Sequence, residues 1–236
     1  MTNKMVGVIA AAGEGSRLYP ASKRRSKVVL TVDGVSLISR TVAVMHEQLM
    51  IGTIVVIVGK NRQAVEEALK PFVRAGVDIR YIDNPEPETG LAQGLLLVET
   101  LVDGPFCLML SDEVYQDADH HRLPALFDRE FSAICCVKQG ASPRDIRKNY
   151  MVEMIGDRVS RLIEKPVGAL TGVMGCGTFV FSPEIFRAIR MTMPSPRSGI
   201  VELVDAVDFL VRSERTVLPF FISGDYVNVN TADDLN

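Results

Sequence analysis

Apolar residues in this chain fall into short continuous runs, separated by longer stretches in which they recur every three or four positions. Residues 6–11 (VGVIAA), Thr53–Val58 (TIVVIV), 78–82 and Phe106–Leu110 (FCLML) are runs of strand length. Residues 35–49, Arg62–Arg74 and 91–101 carry helical spacing. Continuous apolar strands are buried on both faces, and their alternation with amphipathic helices predicts a mostly parallel sheet covered by helices on each side. After residue 130 the pattern changes. Residues 132–139, Tyr150–Ile155, 159–163 and 177–181 read as short strands, with a turn at Gly156-Asp157. Residues 183–190 and 201–212 read as helices, 217–222 and 226–229 as a closing strand pair, and Thr231 as the N-cap of a last helix start. No Gly/Ser linker, repeat or low-complexity segment divides the chain, so one mixed α/β domain over residues 1–236 is expected.

Composition narrows the partners. The net charge of −3 gives no basic field for nucleic acid, and Lys23, Arg24, Arg25 and Lys27 form a local cluster suited to a small anion. No apolar run reaches the ~18 residues of a membrane span. Cys107, Cys135, Cys136 and Cys176 show no metal spacing and read as reduced core thiols, which suits a cytoplasmic protein. His46, His120 and His121 read as scattered surface residues.

The first strand runs into Gly13-Glu14-Gly15-Ser16-Arg17-Leu18, followed by the cationic cluster. Two glycines let the backbone turn tightly and offer bare N–H groups to an anion, and the cations neutralise several negative charges at once. A polyphosphate fits such a loop. Leu18 stands where the dinucleotide fingerprint needs a third glycine, and no Gly-Lys-Ser/Thr of a Walker loop follows.

Four further places carry candidate chemistry, each with a plainer reading beside it. Asp112, just past the FCLML strand, suits a hard cation or a turn, and Glu113 is expected to face solvent or the loop. Glu164-Lys165-Pro166 suits a phosphate and hydroxyls, or is a surface charge pair before a turn. Gln93, opening a helix after Gly90, suits a base edge or a solvated first turn. Asn228 suits a metal or a turn.

In this order the pieces resemble the sugar-nucleotide pyrophosphorylases, nucleotidyltransferases of the glucose-1-phosphate thymidylyltransferase type. The resemblance rests on Gly13-Glu14-Gly15-Ser16-Arg17-Leu18-Tyr19-Pro20 with Ser26-Lys27, on Gly90-Leu91-Ala92-Gln93, Asp112, Glu164-Lys165-Pro166, Gly177 to Phe181, and Tyr226 to Thr231. It covers nearly the whole chain. It implies a Rossmann-like, GT-A-type single domain, with residues 1–115 binding nucleotide and 116–236 the acceptor. It implies transfer of a nucleoside monophosphate from an NTP (dTTP, UTP or CTP) to a sugar 1-phosphate, with Mg²⁺ and release of pyrophosphate. Arg17 is implied at the β/γ-phosphates, Lys27 at the α-phosphate and Lys165 at the sugar phosphate. Asp112 and Asn228 are implied as Mg²⁺ ligands. Ala11, Ala12, Gly13, Gly15, Gln93 and Gly94 form the implied nucleotide-binding set; Tyr150, Glu164, Lys165 and Gly177 form the acceptor set.

Three departures bear on substrate. Asn228 stands where thymidylyltransferases usually carry Asp and where related uridylyltransferases also use Asn. Asn149-Tyr150-Met151-Val152 stands where the family often has a Tyr-Gly-Val run whose Gly touches the sugar, which places Tyr150 in that pocket. Ala10-Ala11-Ala12-Gly13 is similar to uridylyl- and cytidylyltransferases as much as to thymidylyltransferases. A polyol phosphate, phosphocholine or phosphonate acceptor, or a non-catalytic nucleotide-binding protein, stays open beside the main reading, as does a homo-oligomer. With its closing motif so near Asn236, the chain is expected to carry no acyltransferase or allosteric extension.

Overall fold

The computed structural model describes residues 5–13, 27–168 and 170–229. In chain order the strands and helices are β1 (Val6–Ala10), the hairpin β2 (Thr31–Val32) and β3 (Val35–Ser36), α1 (Leu37–Ala43), β4 (Thr53–Val58), α2 (Arg62–Arg74) and β5 (Asp78–Asp83). There follow α3 (Leu91–Leu96), β6 (Phe106–Leu110), β7 (Glu113–Gln116), β8 (Ala133–Gln139), α4 (Pro143–Lys148), β9 (Tyr150–Ile155) and β10 (Arg158–Glu164). The chain continues through β11 (Val173–Phe181), α5 (Glu184–Met191), α6 (Leu203–Arg212), β12 (Val217–Phe221) and β13 (Asp225–Asn228).

Among the described residues nine strands form one sheet, ordered β10-β9-β11-β6-β1-β4-β5, with β8 on the other edge of β11 and β12 beyond it. β6, β1, β4 and β5 pair in parallel, with Val8 opposite Val55 on one side and Leu108 on the other. β11 runs antiparallel to β6, β8 and β9, and β12 runs parallel to β8. The strands therefore share one direction except for β10 and β11, which makes the sheet mixed and mostly parallel, as the apolar runs predict.

Alternate side chains feed two cores. Val8, Val55, Phe106 and Leu108 pack with Leu95 of α3, Phe186 and Ile189 of α5 and Val207 of α6. Ile9, Val56, Cys107 and Met109 face the other way, onto Ile38 and Val42 of α1 and Val65 and Leu69 of α2. A strand buried on both faces has no polar side, which is why these runs read as continuous.

The helix expected over 35–49 starts two residues late, because Val35–Ser36 closes the hairpin. Ser36 then caps α1, accepting from the Ser39 N–H at 3.2 Å, and α1 widens into a π-type turn over Val44–Gln48. The helix expected over 91–101 ends at Leu96, where the backbone tightens into i→i+3 bonds: Leu97 to Gly94, Val98 to Leu95 and Leu101 to Val98. Strand β7 and helix α4, capped by Ser142 with Pro143 in its first turn, had no counterpart in the sequence pattern. The surface reading of His120 is corrected: it is fully buried, its ring edge-on to Tyr115 at 4.6 Å, because the turn His120–Leu126 tucks beneath β7. All four cysteines are free and buried, as expected. Among the described residues no helix is long and apolar enough to cross a membrane.

Candidate active site

The site forms where β11 changes partners. Along one edge, Met174 and Gly175 pair with β9, whereas Thr178 to Phe181 pair with β6. Between these stretches the two neighbours separate, and a cleft of about 220 Å³ opens beside Cys176 and Gly177. Its walls include Asp112, Glu113, Asn149, Tyr150, Glu164, Lys165 and Asn228.

Glu113 seals the seam, which corrects the expectation that it faces solvent. Its carboxylate accepts the Gly177 N–H at 2.8 Å on both oxygens, the Tyr226 hydroxyl at 2.6 Å and the Tyr115 hydroxyl at 2.5 Å. Burial pushes its pKa up to about 7, with the Asp112 charge adding to the rise and the tyrosine and Gly177 bonds opposing it. A side chain at 177 would lie 2.7 Å from this carboxylate and 2.6 Å from Leu110, so glycine is required there. The sequence signal for this role was weak: one acidic residue next to another at a strand end.

Asp112 ends the crossing from β6 into the ribbon of β7 and β13. Its backbone carbonyl accepts the Val229 N–H at 2.9 Å, and the register sets Asn228 opposite Glu113, its neighbour. Lys27 is nearly buried, and its Nζ lies 2.8 Å from Asp112 Oδ2. One carboxylate and one carboxamide side by side are hard oxygen donors, and a positive group already sits on the carboxylate. That set fits Mg²⁺, which takes one or two protein oxygens and fills the rest of its shell with phosphate and water. Among the described residues no group of three or more His, Cys, Asp and Glu gathers in a metal cage.

Across the cleft, Lys165 pairs with Glu164 at 3.0 Å. Lys165 has a left-handed backbone (φ 43°), and its N–H donates to the Asn149 carbonyl at 2.8 Å. Burial raises the Glu164 pKa, and Lys165 opposes the rise. Arg197, which the sequence reading did not single out, lies 3.9 Å from Glu164 and 3.7 Å from Glu202, adding a second cation at this wall. A Pro-Arg-Ser-Gly turn just before a helix was its only trace. Tyr150 lines the cleft with its ring stacked on Phe179 at 5.8 Å, and its hydroxyl donates to the Cys176 carbonyl at 3.0 Å.

Arg17 and Gly15 lie outside the described residues. Ala11 is buried, and its carbonyl accepts from Asn61 Nδ2 at 2.7 Å, which fixes the start of the glycine loop over the end of β4. Ser111 Oγ ties the end of β6 to the Ala10 carbonyl at 2.8 Å. Ala12 packs over Gly59, where a Cβ would lie 2.9 Å from the Ala12 oxygen. Gly13 is exposed beyond it. Gln93 is half-buried in α3, and Gly94 lies under the Asn84 side chain. The structure thus brings Lys27, Asp112, Asn228, Tyr150, Glu164, Lys165 and Gly177 to one place; Gln93 and Gly94 stand on α3, whose first residue Leu91 reaches the cleft wall.

Ligands of such sheets collect at the carboxyl ends of the strands, and an ammonium–carboxylate pair there, facing a second cationic wall, suits phosphate-bearing ligands. Residues 6–232 match the nucleotidyl transferase family model, and the chain belongs to that family. It is 29% identical to UTP–glucose-1-phosphate uridylyltransferase AglF of Haloferax volcanii, over 98% of this chain and 93% of that one. It is 24% identical to a glucose-1-phosphate thymidylyltransferase of Streptomyces griseus, covering 98% of this chain and 64% of that enzyme. A crystal structure from Bacillus anthracis, described as a glucose-1-phosphate thymidylyltransferase with sucrose, superposes with a TM-score of 0.85 at 25% identity, covering 98% and 92% of the two chains. A UDP-glucose pyrophosphorylase complexed with UDP-glucose shares the fold, with a TM-score of 0.83 at 19% identity over 99% and 96%. The family and fold implied by the sequence motifs are borne out.

Proposed function

We propose that this nucleotidyltransferase joins an NTP to a sugar 1-phosphate, with Mg²⁺, giving an NDP-sugar and pyrophosphate. One observation carries the reading: Asp112 and Asn228 share a single cleft with Glu164 and Lys165. A phosphate oxygen of the acceptor attacks the α-phosphorus, and pyrophosphate leaves in line. The chain positions the two anions and neutralises their charge, and forms no covalent intermediate. Lys27, held beside Asp112, meets the α-phosphate of the bound nucleotide. Lys165 and Arg197 hold the acceptor phosphate, and Glu164 accepts sugar hydroxyls. Asp112 and Asn228 would hold Mg²⁺, which would supply charge neutralisation at the transferring phosphoryl group. Arg17 takes the β/γ-phosphates, and Ala11, Ala12, Gly13, Gly15, Gln93 and Gly94 cradle the nucleoside. Residues 1–115 thereby serve the nucleotide and 116–236 the acceptor.

UTP is the favoured nucleotide. Asn228 and the Ala10-Ala11-Ala12-Gly13 spelling are shared with uridylyltransferases, and the AglF match spans nearly both chains. The test is pyrophosphate release from each common NTP, with Mg²⁺ and a panel of sugar and alcohol phosphates. UTP with a hexose 1-phosphate is expected to give the highest kcat/KM. Absence of pyrophosphate from every sugar 1-phosphate pair overturns the reading; release with a polyol phosphate or phosphocholine alone moves the acceptor outside the sugars.

A further inference from the structure

Asn149 lies between the residues proposed for the metal and those proposed for the acceptor phosphate. It follows α4, with a backbone outside the helical and extended regions (φ −112°, ψ −137°). Its N–H is held by the Asp145 and Ile146 carbonyls, each at 3.2 Å. Its own carbonyl accepts the Lys165 N–H at 2.8 Å, at the point where Lys165 takes its left-handed turn. Its side chain meets Asn228: Asn228 Nδ2 donates to Asn149 Oδ1 at 2.9 Å.

The direction of that bond follows from the surrounding groups. A carboxamide has one end that donates and one that accepts, and its orientation is read from its neighbours. Asn149 lies 3.0 Å from the Asp145 carbonyl, which only an NH₂ can satisfy, and on the same side 3.3 Å from the Met174 sulfur. Nδ2 must therefore face α4, which leaves Oδ1 toward Asn228. Tyr226 Oη also lies 3.4 Å from this oxygen, but its single proton goes to Glu113 at the shorter distance of 2.6 Å. Residue 228 must consequently present a donor to Asn149. Asparagine does so, whereas aspartate would set two acceptors 2.9 Å apart.

We infer that Asn149 is a positioning residue. Its main chain sets Lys165, and its side chain fixes the Asn228 amide with its NH₂ toward Asn149, so that one residue aligns the two sides of the cleft. The same bond explains why Asn occupies position 228, where the thymidylyltransferases that the chain resembles usually carry Asp. The inference rests on the proposed transfer reaction for its catalytic consequence, and on polarity alone for the coupling of 149 to 228.

The test is a double-mutant cycle on the metal-free protein: wild type, Asn149→Ala, Asn228→Asp and the double variant, each followed by thermal unfolding. Repulsion between the introduced carboxylate and Asp112 is common to both backgrounds and cancels in the cycle. Asn228→Asp is expected to lower Tm by several degrees more in the wild type than beside Asn149→Ala, a coupling of roughly 2–5 °C. Strict additivity overturns the inference. Where Asn149→Ala does not fold, Asn149→Ser gives the same comparison, since its short side chain withdraws the acceptor from residue 228. The kinetic arm uses UTP and glucose 1-phosphate: Asn149→Ala is expected to raise both the acceptor KM and the Mg²⁺ concentration for half-maximal rate about tenfold and to lower kcat. A change in only one of the two, with the other as in wild type, overturns the alignment of both sides. Inactive wild type with retained thermal coupling overturns the proposed reaction and leaves the 149–228 pairing established.

Discussion

Lys27 Nζ and Asp112 Oδ2 lie 2.8 Å apart although 85 positions separate them in sequence. The pair holds the turn at Lys27 against the end of β6, and each partner screens the other's charge. Removing either leaves the other as a partly buried, unpaired charge in the cleft. Lys27→Ala and Asp112→Ala are each expected to lower kcat by about two orders of magnitude or more, with the far-UV spectrum unchanged and Tm shifted by only a few degrees. Circular dichroism and pyrophosphate release check the two halves of this expectation, and undiminished turnover in both variants removes these residues from the chemistry.

Gly175 and Tyr150 occupy one volume. A Cβ at 175 would lie 1.8 Å from the Tyr150 ring, well inside contact distance, and the ring is pinned by Phe179 and by its bond to the Cys176 carbonyl. Gly175→Ala is expected to cost about 3 kcal/mol or more in urea unfolding. In the Tyr150→Gly background the same change becomes nearly free. Tyr150→Gly alone is expected to widen the range of acceptors used, and an unaltered acceptor profile separates Tyr150 from the acceptor.

Stability is expected to depend on pH through His120. Burial depresses its pKa from 6.5 to about 4, with Asp119 opposing. Burial would raise the Asp119 carboxyl, but the Ser223 amide and Arg122 outweigh it and hold the pKa at about 2, so Asp119 stays charged over the relevant range. Because the folded state resists protonation of His120, its contribution is complete above pH ~6.5 and lost as pH falls toward 4, a change of roughly 3 kcal/mol. Carboxylates with raised pKa values, Glu113 among them, push the other way between their unfolded and folded values. The difference between wild type and His120→Phe in urea unfolding from pH 7 to 4 isolates the histidine. Parallel curves would place the imidazole in solvent.

The thiols are expected to be inert while the protein is folded. Burial pushes Cys107 up to about 12 and also raises Cys135, Cys136 and Cys176 well above the usual thiol range. Thiolate is the reactive form, so a disulfide reagent should label all four only on unfolding, at the rate of opening. Rapid labelling of a native thiol counts against this core.

The parallel half of the sheet was legible because Thr53–Val58 and Phe106–Leu110 are apolar at nearly every position, a pattern that few other environments tolerate. Lys27, Asp112 and Glu164-Lys165 could be singled out because they stand at strand ends and after the glycine loop, where such sheets gather their ligands. What escaped depends on long-range closure. Glu113 reads as a solvated acid until Tyr226 and Gly177 are brought to it from over sixty residues away. Asn149 has no local signature, since its meaning lies in Asn228 and Lys165. β7 is four residues long and stands only because β13 returns to pair with it.

The partner exchange along β11 has a consequence for inheritance. Strands on either side of the opening are stitched to a common neighbour but not to each other there, and the glycines at 175 and 177 keep the floor between them bare. Mutations on the banks can remodel what the opening accepts while the parallel strands beyond β6 keep their register. A lineage built on this plan can diversify its products by changing a few positions on one bank of the opening.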